Sequence, residues 1–120
     1  MPGKTLVFGA SLKSDRISNM AVHRLLRYGE EVVAFGIKGG SIAGVEIRTT
    51  LEEIDEIDTV TLYVGAKRQK PYYDYLVRLN PRRIIFNPGT ENPEFYRILH
   101  KHDIMIDVSC SLTLLATNKY

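Results

Sequence analysis

Short apolar runs alternate along this chain with longer segments whose apolar side chains recur at helical spacing. The runs are apolar at successive positions, as is typical of strands buried on both faces of a sheet. They predict five strands, over residues 4–8, 31–36, 58–64, 83–87 and 104–108. A shorter segment, residues 44–48, alternates between apolar and polar positions and is expected to form an additional extension.

Helices are predicted between these strands. The first begins near Ser18, a good N-cap residue, and ends at Gly29. The second covers residues 69–79 and ends before Pro81, and the third covers residues 93–102, with Asn92 as its cap. Thr50 is expected to cap a turn over residues 51–54.

Alternating strands and helices predict an α/β domain. We expect three layers, with a mainly parallel central sheet of about five strands, helices on both of its faces and right-handed crossovers. A chain of 120 residues suits a single domain over residues 1–120. Residues 109–120 are expected to form a tail whose leucines dock on the body, namely Leu112, Leu114 and Leu115.

Composition narrows the possible functions. The 16 Lys and Arg residues against 14 Asp and Glu residues give a net charge of +2, and they are too scattered to indicate nucleic-acid binding. No apolar run approaches the ~20 residues of a membrane helix, and Met1 to Lys4 lead into the first strand without a signal-peptide pattern. A single cysteine, Cys110, excludes an internal disulfide and a structural zinc site of several cysteines. We therefore expect a cytoplasmic protein.

Ligands of such sheets lie beyond the carboxyl ends of the strands, where the strand order reverses. The five predicted strand exits are residues 9–11, 36–38, 64–66, 87–89 and 107–110. Four of them carry glycine, which lets backbone amides approach a phosphate but also ends strands for purely structural reasons. The Gly-x-Gly-x-x-Gly fingerprint is absent after the first strand, so a plain NAD site is not supported.

Three polar residues narrow the class of ligand that the strand exits are predicted to bind. Nicotinamide enzymes commonly place an acid after the second strand to hold the ribose hydroxyls, whereas this chain has Lys38 there. A lysine suits a phosphate on the adenosine ribose, although it is also compatible with a solvated loop. Arg16 and Ser18 are candidate partners of a pyrophosphate, and Ser18 could also be only a helix cap.

A family resemblance connects these features. Val7-Phe8-Gly9-Ala10-Ser11, Asp15-Arg16-Ile17-Ser18-Asn19, Lys38-Gly39-Gly40 and Asn87-Pro88-Gly89-Thr90-Glu91 occur in this order. The array resembles the small stand-alone CoA-binding proteins, which are similar to the CoA-binding domain of the succinyl-CoA synthetase alpha subunit. The resemblance covers essentially the whole chain and weakens after Cys110.

The resemblance implies a Rossmann-like domain that binds CoA or an acyl-CoA across the strand ends. It places Lys38 near the adenosine end and Val64 and Gly65 at the third exit. It implies that the phosphates lie at Gly9, Ala10, Ser11, Arg16 and Ser18. It implies that the pantetheine arm follows Asn87, Pro88 and Gly89. Relatives tend to carry an arginine nearer the third strand than Arg68, and a glutamine where this chain has Asn87.

No catalytic constellation is evident. The synthetases that the chain resembles need a phosphorylated histidine and an ATP-binding partner domain, for which 120 residues leave no room. His23, His100 and His102 are expected to be surface or helix-end residues, with no metal site among them. Cys110 is expected to be a small buried hydrophobic residue, and the alternative is a redox role in a mixed disulfide with CoA. We therefore expect a non-enzymatic CoA-binding module with a regulatory or carrier role.

Two other classes of protein stay open. One is an NADP-dependent oxidoreductase or a fragment of one, although the chain lacks the dinucleotide fingerprint and a substrate domain. The other is a nucleotide-binding or interaction subunit of a larger assembly, in which residues 112–120 pair with another chain or a second copy.

Overall fold

The computed structural model describes residues 3–120, so Met1 and Pro2 of the predicted domain lie outside the described residues. The first half of the chain forms β1 (Lys4–Phe8), α1 (Ile17–Arg27), β2 (Glu31–Phe35), β3 (Gly40–Ile42), β4 (Val45–Arg48) and β5 (Ile57–Leu62). Two 3₁₀ turns follow, at Ala66–Arg68 and Lys70–Tyr72. The second half continues with α2 (Tyr73–Arg78), β6 (Arg83–Phe86), α3 (Pro93–Lys101), β7 (Met105–Asp107) and α4 (Ser111–Ala116).

The strands form one sheet in the order β3-β4-β2-β1-β5-β6-β7. Every pair is parallel except β3 with β4, so the mainly parallel sheet predicted from the apolar runs is confirmed. The sheet has seven strands rather than about five, because β3 and β4 form an edge hairpin. The hairpin turns through Ala43 and Gly44, which both have positive φ, as two-residue hairpin turns require.

Helices cover both faces of the sheet, as predicted. On one face, α2 and α3 pack an aromatic-rich core that includes Phe8, Phe86 and Phe95, all fully buried. On the other face, α1 and α4 pack against a smaller core that includes Val7 and Leu25. The sheet is thus the middle of three layers, and each strand end is flanked by helices.

Three local predictions were wrong. Helix α1 begins at Ile17 with Arg16 in the N-cap position, so Ser18 is not the cap but a buried residue of the first turn. The second helix starts only at Tyr73, because Pro71 restricts the residue before it and leaves two 3₁₀ turns in place of helix. Residues 51–54 form no turn. They are held instead by a hydrogen bond from the Tyr75 hydroxyl to the Glu52 carbonyl.

The tail docks on the body, as predicted. Leu115 is 3% exposed in the α1 side of the core, and Leu112 and Leu114 are partly buried. Tyr120 shares a 2.7 Å hydrogen bond with Thr5 on β1 and accepts a bond through its carbonyl oxygen from Arg83. Pairing of the tail with a partner stays a prediction. None of the helices in residues 3–120 is long and apolar enough to cross a membrane.

Candidate functional site

The strand exits border a cleft of about 1000 Å³ at the carboxyl edge of the sheet. From β1 the chain passes to β2 on one side of it, whereas β5 and β6 lie on the other side. The order therefore reverses at β1, which is where ligands of open α/β sheets bind. The cleft extends from Lys38, after β2, to Cys110, after β7.

The exits of β1 and β2 are held together closely. The amide groups of Gly9 and Ala10 both donate to the Phe35 carbonyl oxygen, at 2.9 and 2.8 Å. A Cβ at Gly36 would lie 2.4 Å from the Ala10 carbonyl oxygen, so only glycine fits there. The predicted contact of Gly9 and Ala10 amides with a phosphate is corrected by these bonds, since both N–H groups are already committed to β2. Both residues still line the cleft.

The N-terminus of α1 faces the cleft through Arg16, Ile17 and Ser18. No side chain among residues 3–120 caps this end of the helix, and its first turn contains no acidic residue. The side chain of Asn19 instead donates to the Ser11 carbonyl oxygen at 2.9 Å, which fixes the loop between β1 and α1. The positive end of an eleven-residue helix is thus presented to the cleft without a capping side chain, and the nearest carboxylate in sequence is the exposed Asp15, which precedes the N-cap residue.

Positive charge predominates around the same region. Four cationic side chains line the cleft, against the single carboxylate of Asp15; they are Lys13, Arg16, Lys38 and Arg68. All four are exposed, and none forms an ion pair within the part of the chain that the structure describes. The cleft therefore has several cations that are available to an anionic ligand.

The remainder of the cleft wall is largely apolar. Tyr63 and Val64 follow β5, and Pro88 follows β6. Tyr72 lies nearer the β1 and β2 exits, because its ring packs edge-on against Phe8 and Phe35, with ring centroids 5.1 and 5.8 Å apart. The largely apolar part of the wall along the β5 and β6 exits is therefore formed by Tyr63, Val64 and Pro88.

Asn87 lies in the cleft wall, but its side chain forms hydrogen bonds with the protein interior and not with the cleft. Its Nδ2 donates to the Thr61 Oγ1 at 2.8 Å and to the Leu62 carbonyl oxygen at 2.9 Å. Its Oδ1 accepts from the Ser111 amide at 2.8 Å. Both amide hydrogens are thus committed within the protein, and Asn87 is 2% exposed. We assign it to positioning β5, β6 and α4 rather than to the predicted direct contact along the pantetheine path.

Cys110 is partly exposed in the cleft wall, so the expectation that it is a buried core residue was wrong. Burial tends to raise the pKa of the Cys110 thiol, but the neighbouring amide and hydroxyl groups of Thr113 and the amide of Leu112, at the N-terminus of α4, outweigh this effect. The net effect is a pKa below the ordinary value for cysteine. A larger share of the thiol is therefore ionised at neutral pH than in an unperturbed cysteine.

The cleft brings together most of the predicted site residues: Gly9, Ala10, Ser11, Arg16, Ser18, Lys38, Val64, Asn87 and Pro88. Gly65 and Gly89 are not in its lining. Gly89 has a φ of +94° and donates its amide to Glu91 Oε1 at 2.8 Å, so it serves the turn after β6.

Sequence reasoning missed Lys13, Tyr63 and Tyr72 as cleft residues. Arg68 was noted from the sequence only because relatives carry an arginine nearer the third strand. Arg68 nevertheless lines the cleft, because it lies in the 3₁₀ turn that follows β5. Gln69 holds this arrangement, since its buried Nε2 donates to the carbonyl oxygens of Val64 and Thr90, both at 2.8 Å. The sequence indicates this role of Gln69 only weakly, because Gln69 is the one uncharged residue between Lys67 and Lys70.

Comparison with solved structures finds the same fold at full length. A crystal structure described as that of an uncharacterized protein matches with 37% identity and a TM-score of 0.97, covering 100% of this chain and 99% of that one. A hypothetical protein from Pyrococcus horikoshii OT3 matches with 22% identity and a TM-score of 0.85, over 98% and 83% of the two chains.

A larger enzyme contains a similar domain. The dinucleotide-forming acetyl-coenzyme A synthetase 1 of Ca. Korarchaeum cryptofilum, in complex with phosphate and ADP, matches with 18% identity and a TM-score of 0.72. The match covers 88% of this chain and 25% of the synthetase chain, so it shows a shared fold only. The search of curated proteins gave no match.

The family model described as the CoA binding domain matches residues 3–116, which is nearly the whole chain. The match agrees with the α/β architecture, with the cleft at the point of strand reversal and with the family resemblance in the strand exits. The chain belongs to the CoA-binding domain family.

Proposed function

We propose that this protein binds CoA or an acyl-CoA in the cleft and catalyses no reaction of its own. The observation that carries the proposal is that one part of the cleft wall is cationic and the other part is largely apolar. An uncapped helix N-terminus and three of the four cations, Lys13, Arg16 and Lys38, lie toward the β1 and β2 exits. Apart from Arg68, the cleft residues that follow β5 and β6 are largely apolar. CoA has the same division, with an adenosine end rich in phosphates and an uncharged pantetheine arm.

The cations and the uncapped N-terminus of α1 support the binding of the CoA phosphates near the β1 and β2 exits. Arg16 stands at the N-terminus of α1, and Lys38 stands across the β1 exit from it, after β2. A pyrophosphate near Arg16 would receive both a guanidinium and the positive end of the helix. Lys38 would then pair with the phosphate on the adenosine ribose, which CoA carries and most adenine nucleotides lack.

The length of the cleft favours a long ligand. The exits of β2 and β6 are three strand spacings apart, which is about 14 Å at the usual distance between neighbouring strands. An adenosine phosphate held by Arg16 and Lys38 would leave the wall along β5 and β6 empty. The pantetheine arm would fill it and pack against Val64 and Pro88.

The proposal of binding without catalysis is supported by what the cleft wall contains. His23, His100 and His102 lie on α1 and at the end of α3, and none is among the cleft-lining residues. Asp15 is the single carboxylate of the described lining, and it lies in an exposed loop. Neither a histidine nor a buried carboxylate, two common kinds of general acid or base, is found among the described residues of this wall.

Calorimetric titration tests the proposal with CoA, dephospho-CoA, AMP and NADPH as ligands. We expect CoA to bind most tightly, and Arg16→Ala and Lys38→Ala each to weaken CoA about tenfold, the effect of losing one charge-assisted contact. Lys101→Ala is the matched control, because Lys101 is exposed on α3 and away from the cleft.

The pairing of Lys38 with the ribose phosphate makes a sharper test. Lys38→Ala should remove most of the preference for CoA over dephospho-CoA, whereas Arg16→Ala should keep it. Affinity for CoA no better than for AMP would refute the proposal. Tighter binding of NADPH than of CoA would replace it with the nicotinamide alternative.

A further inference from the structure

The turn between β5 and α2 extends the proposed function, on which this inference rests. We propose that Gln69 is a positioning residue, which holds Arg68 where its guanidinium binds the pyrophosphate of CoA from the side opposite Arg16. Arg68 is exposed in the cleft lining and forms no ion pair among residues 3–120, so its charge is available to a ligand.

Gln69 is almost completely buried, with 1% of its surface exposed, and both polar atoms of its side chain are bonded. Its Nε2 donates to the carbonyl oxygens of Val64 and Thr90, both at 2.8 Å. Its Oε1 accepts from Asn92 Nδ2 at 2.8 Å. Burying an amide is unfavourable unless its hydrogen bonds are satisfied, so these three bonds fix where the side chain can lie.

The three bonds join the turn to two neighbouring strand exits. Val64 follows β5, and Thr90 lies in the loop after β6. Asn92 is the N-cap of α3, so the third bond reaches the next helix. The adjacent Arg68 donates its own amide to the Gly65 carbonyl oxygen at 2.9 Å. The backbone that carries the Arg68 side chain is therefore fixed at the carboxyl edge of the sheet.

The same turn reaches toward the β1 exit. The ring of Tyr72, four residues after Arg68, packs edge-on against Phe8 at the end of β1 and Phe35 at the end of β2. The segment over residues 68–72 thus extends from the β5 exit toward the middle of the cleft.

Arg16 and Arg68 approach the cleft from opposite faces of the sheet. Arg16 precedes α1, which packs on one face, whereas the turn of Arg68 leads into Tyr72, which packs against the core of the other face. Both residues line the cleft. A pyrophosphate at the β1 exit would therefore lie between two guanidinium groups, each able to make paired hydrogen bonds with phosphate oxygens.

A double-mutant cycle tests whether Gln69 acts through Arg68, with CoA as the ligand in calorimetric titration. Arg68→Ala should weaken CoA binding about tenfold, the effect of losing one charge-assisted contact. Gln69→Met keeps the length of the side chain but cannot donate, and it should weaken CoA binding about fivefold. In the Arg68→Ala background the same change should weaken CoA binding less than about twofold, because the residue it positions is already absent.

Tyr73→Phe is the matched control for a purely structural effect. It removes the Tyr73 hydroxyl, which accepts from Asn92 Nδ2 at 2.8 Å, but leaves the bonds of Gln69 in place. It should therefore lower the midpoint of urea unfolding without weakening CoA binding.

The dependence of affinity on salt gives a second readout that a structural role would not change. Added potassium chloride should weaken CoA binding less in Arg68→Ala and in Gln69→Met than in the native protein, because one charged contact fewer is screened.

The outcomes separate this inference from the proposed function. If Gln69→Met weakens CoA binding by the same factor with and without Arg68, or if Arg68→Ala binds CoA as tightly as the native protein, this inference alone is overturned. No binding of CoA by the native protein overturns the proposed function instead. If circular dichroism shows Gln69→Met to be unfolded, Asn92→Ser replaces it in the cycle, because serine still caps α3 but no longer donates to Gln69 Oε1. Asn92→Ser should likewise weaken CoA binding only where Arg68 is present.

Discussion

Replacing Asn87 with alanine is expected to lower the free energy of unfolding by about 3–4 kcal/mol. The side chain makes three buried hydrogen bonds, two donated by Nδ2 and one accepted by Oδ1, all between 2.8 and 2.9 Å. At about 1 kcal/mol for each bond, the loss is about 3 kcal/mol. The Ser111 amide, left buried without an acceptor, adds up to about 1 kcal/mol.

Two comparison variants separate the hydrogen bonds from simple loss of volume. Asn87→Asp keeps the size of the side chain but replaces the donating Nδ2 with an oxygen, often charged, that faces the Leu62 carbonyl oxygen and the Thr61 hydroxyl in a buried site, so we expect a loss of at least about 2 kcal/mol. Ser111→Ala removes one hydroxyl contact and leaves the Ser111 amide bonded to Asn87, so we expect a loss of about 1 kcal/mol.

Urea unfolding followed by circular dichroism measures these changes. The midpoint should fall in the order wild type, Ser111→Ala, Asn87→Ala, with the slope of the free energy against urea unchanged if the unfolded states are alike. A loss of less than about 1 kcal/mol for Asn87→Asp would refute the reasoning, because the two donated bonds would then contribute almost nothing.

Three further predictions concern the β1–β2 exits, acid stability and alkaline stability. Gly36→Ala should lower the free energy of urea unfolding by about 1–3 kcal/mol, because its Cβ would lie 2.4 Å from a backbone carbonyl. Gly65→Ala, whose Cβ meets nothing within 4 Å, should be neutral or slightly stabilising, and equal effects would contradict the reasoning. Hydrogen bonds from Arg82 hold the pKa of Asp58 below its ordinary value, so their stabilisation is present at neutral pH and lost as the pH falls through that lowered pKa. Arg82→Ala should therefore destabilise by under about 1 kcal/mol at neutral pH and not at all in strong acid, and a difference that persists in acid would exclude this cause. Burial raises the pKa of Tyr120 to about 12 from about 10, so stabilisation by its hydroxyl is lost as the pH rises between these values. Tyr120→Phe should lower the melting temperature at neutral pH but not near pH 12, and an equal loss at both would contradict it.

The central strands could be predicted because their burial is visible in the local sequence. Strands covered on both faces must be apolar at successive positions, and Leu6, Val7 and Phe8 show this directly, each being fully buried. The cap of α3 was also readable, since Asn92 accepts the amide of Phe95. Both features depend on residues adjacent in sequence.

The errors arise where distant residues decide the local structure. The edge hairpin turns at Ala43, with a φ of 50°, and alanine carries no turn signal in the sequence. Ser18 looks like a cap, yet it lies inside the first turn, and the end of α1 has no capping side chain among residues 3–120.

The candidate site was predictable in its location and less so in its contacts. The strand exits could be named, because parallel strands bring their carboxyl ends to one edge. Asn87 Oδ1 accepts from the backbone amide of Ser111, 24 residues later, and Gln69, which holds the turn of Arg68, donates to the Thr90 carbonyl oxygen, 21 residues later. Bonds of that kind join groups far apart in the sequence, so no local pattern encodes them.

The position of β1 at the centre of the sheet has a consequence for how the chain folds during synthesis. The strand precedes one of its neighbours, β5, by about fifty residues, and the bond between Thr5 and Tyr120 spans 115 residues. An emerging chain therefore carries this buried, apolar strand with one edge unpaired until β5 has been made. Such long-range closure slows folding and favours association with other chains. The sheet is complete only once β7 has left the ribosome, and the cleft only once α4 has followed it.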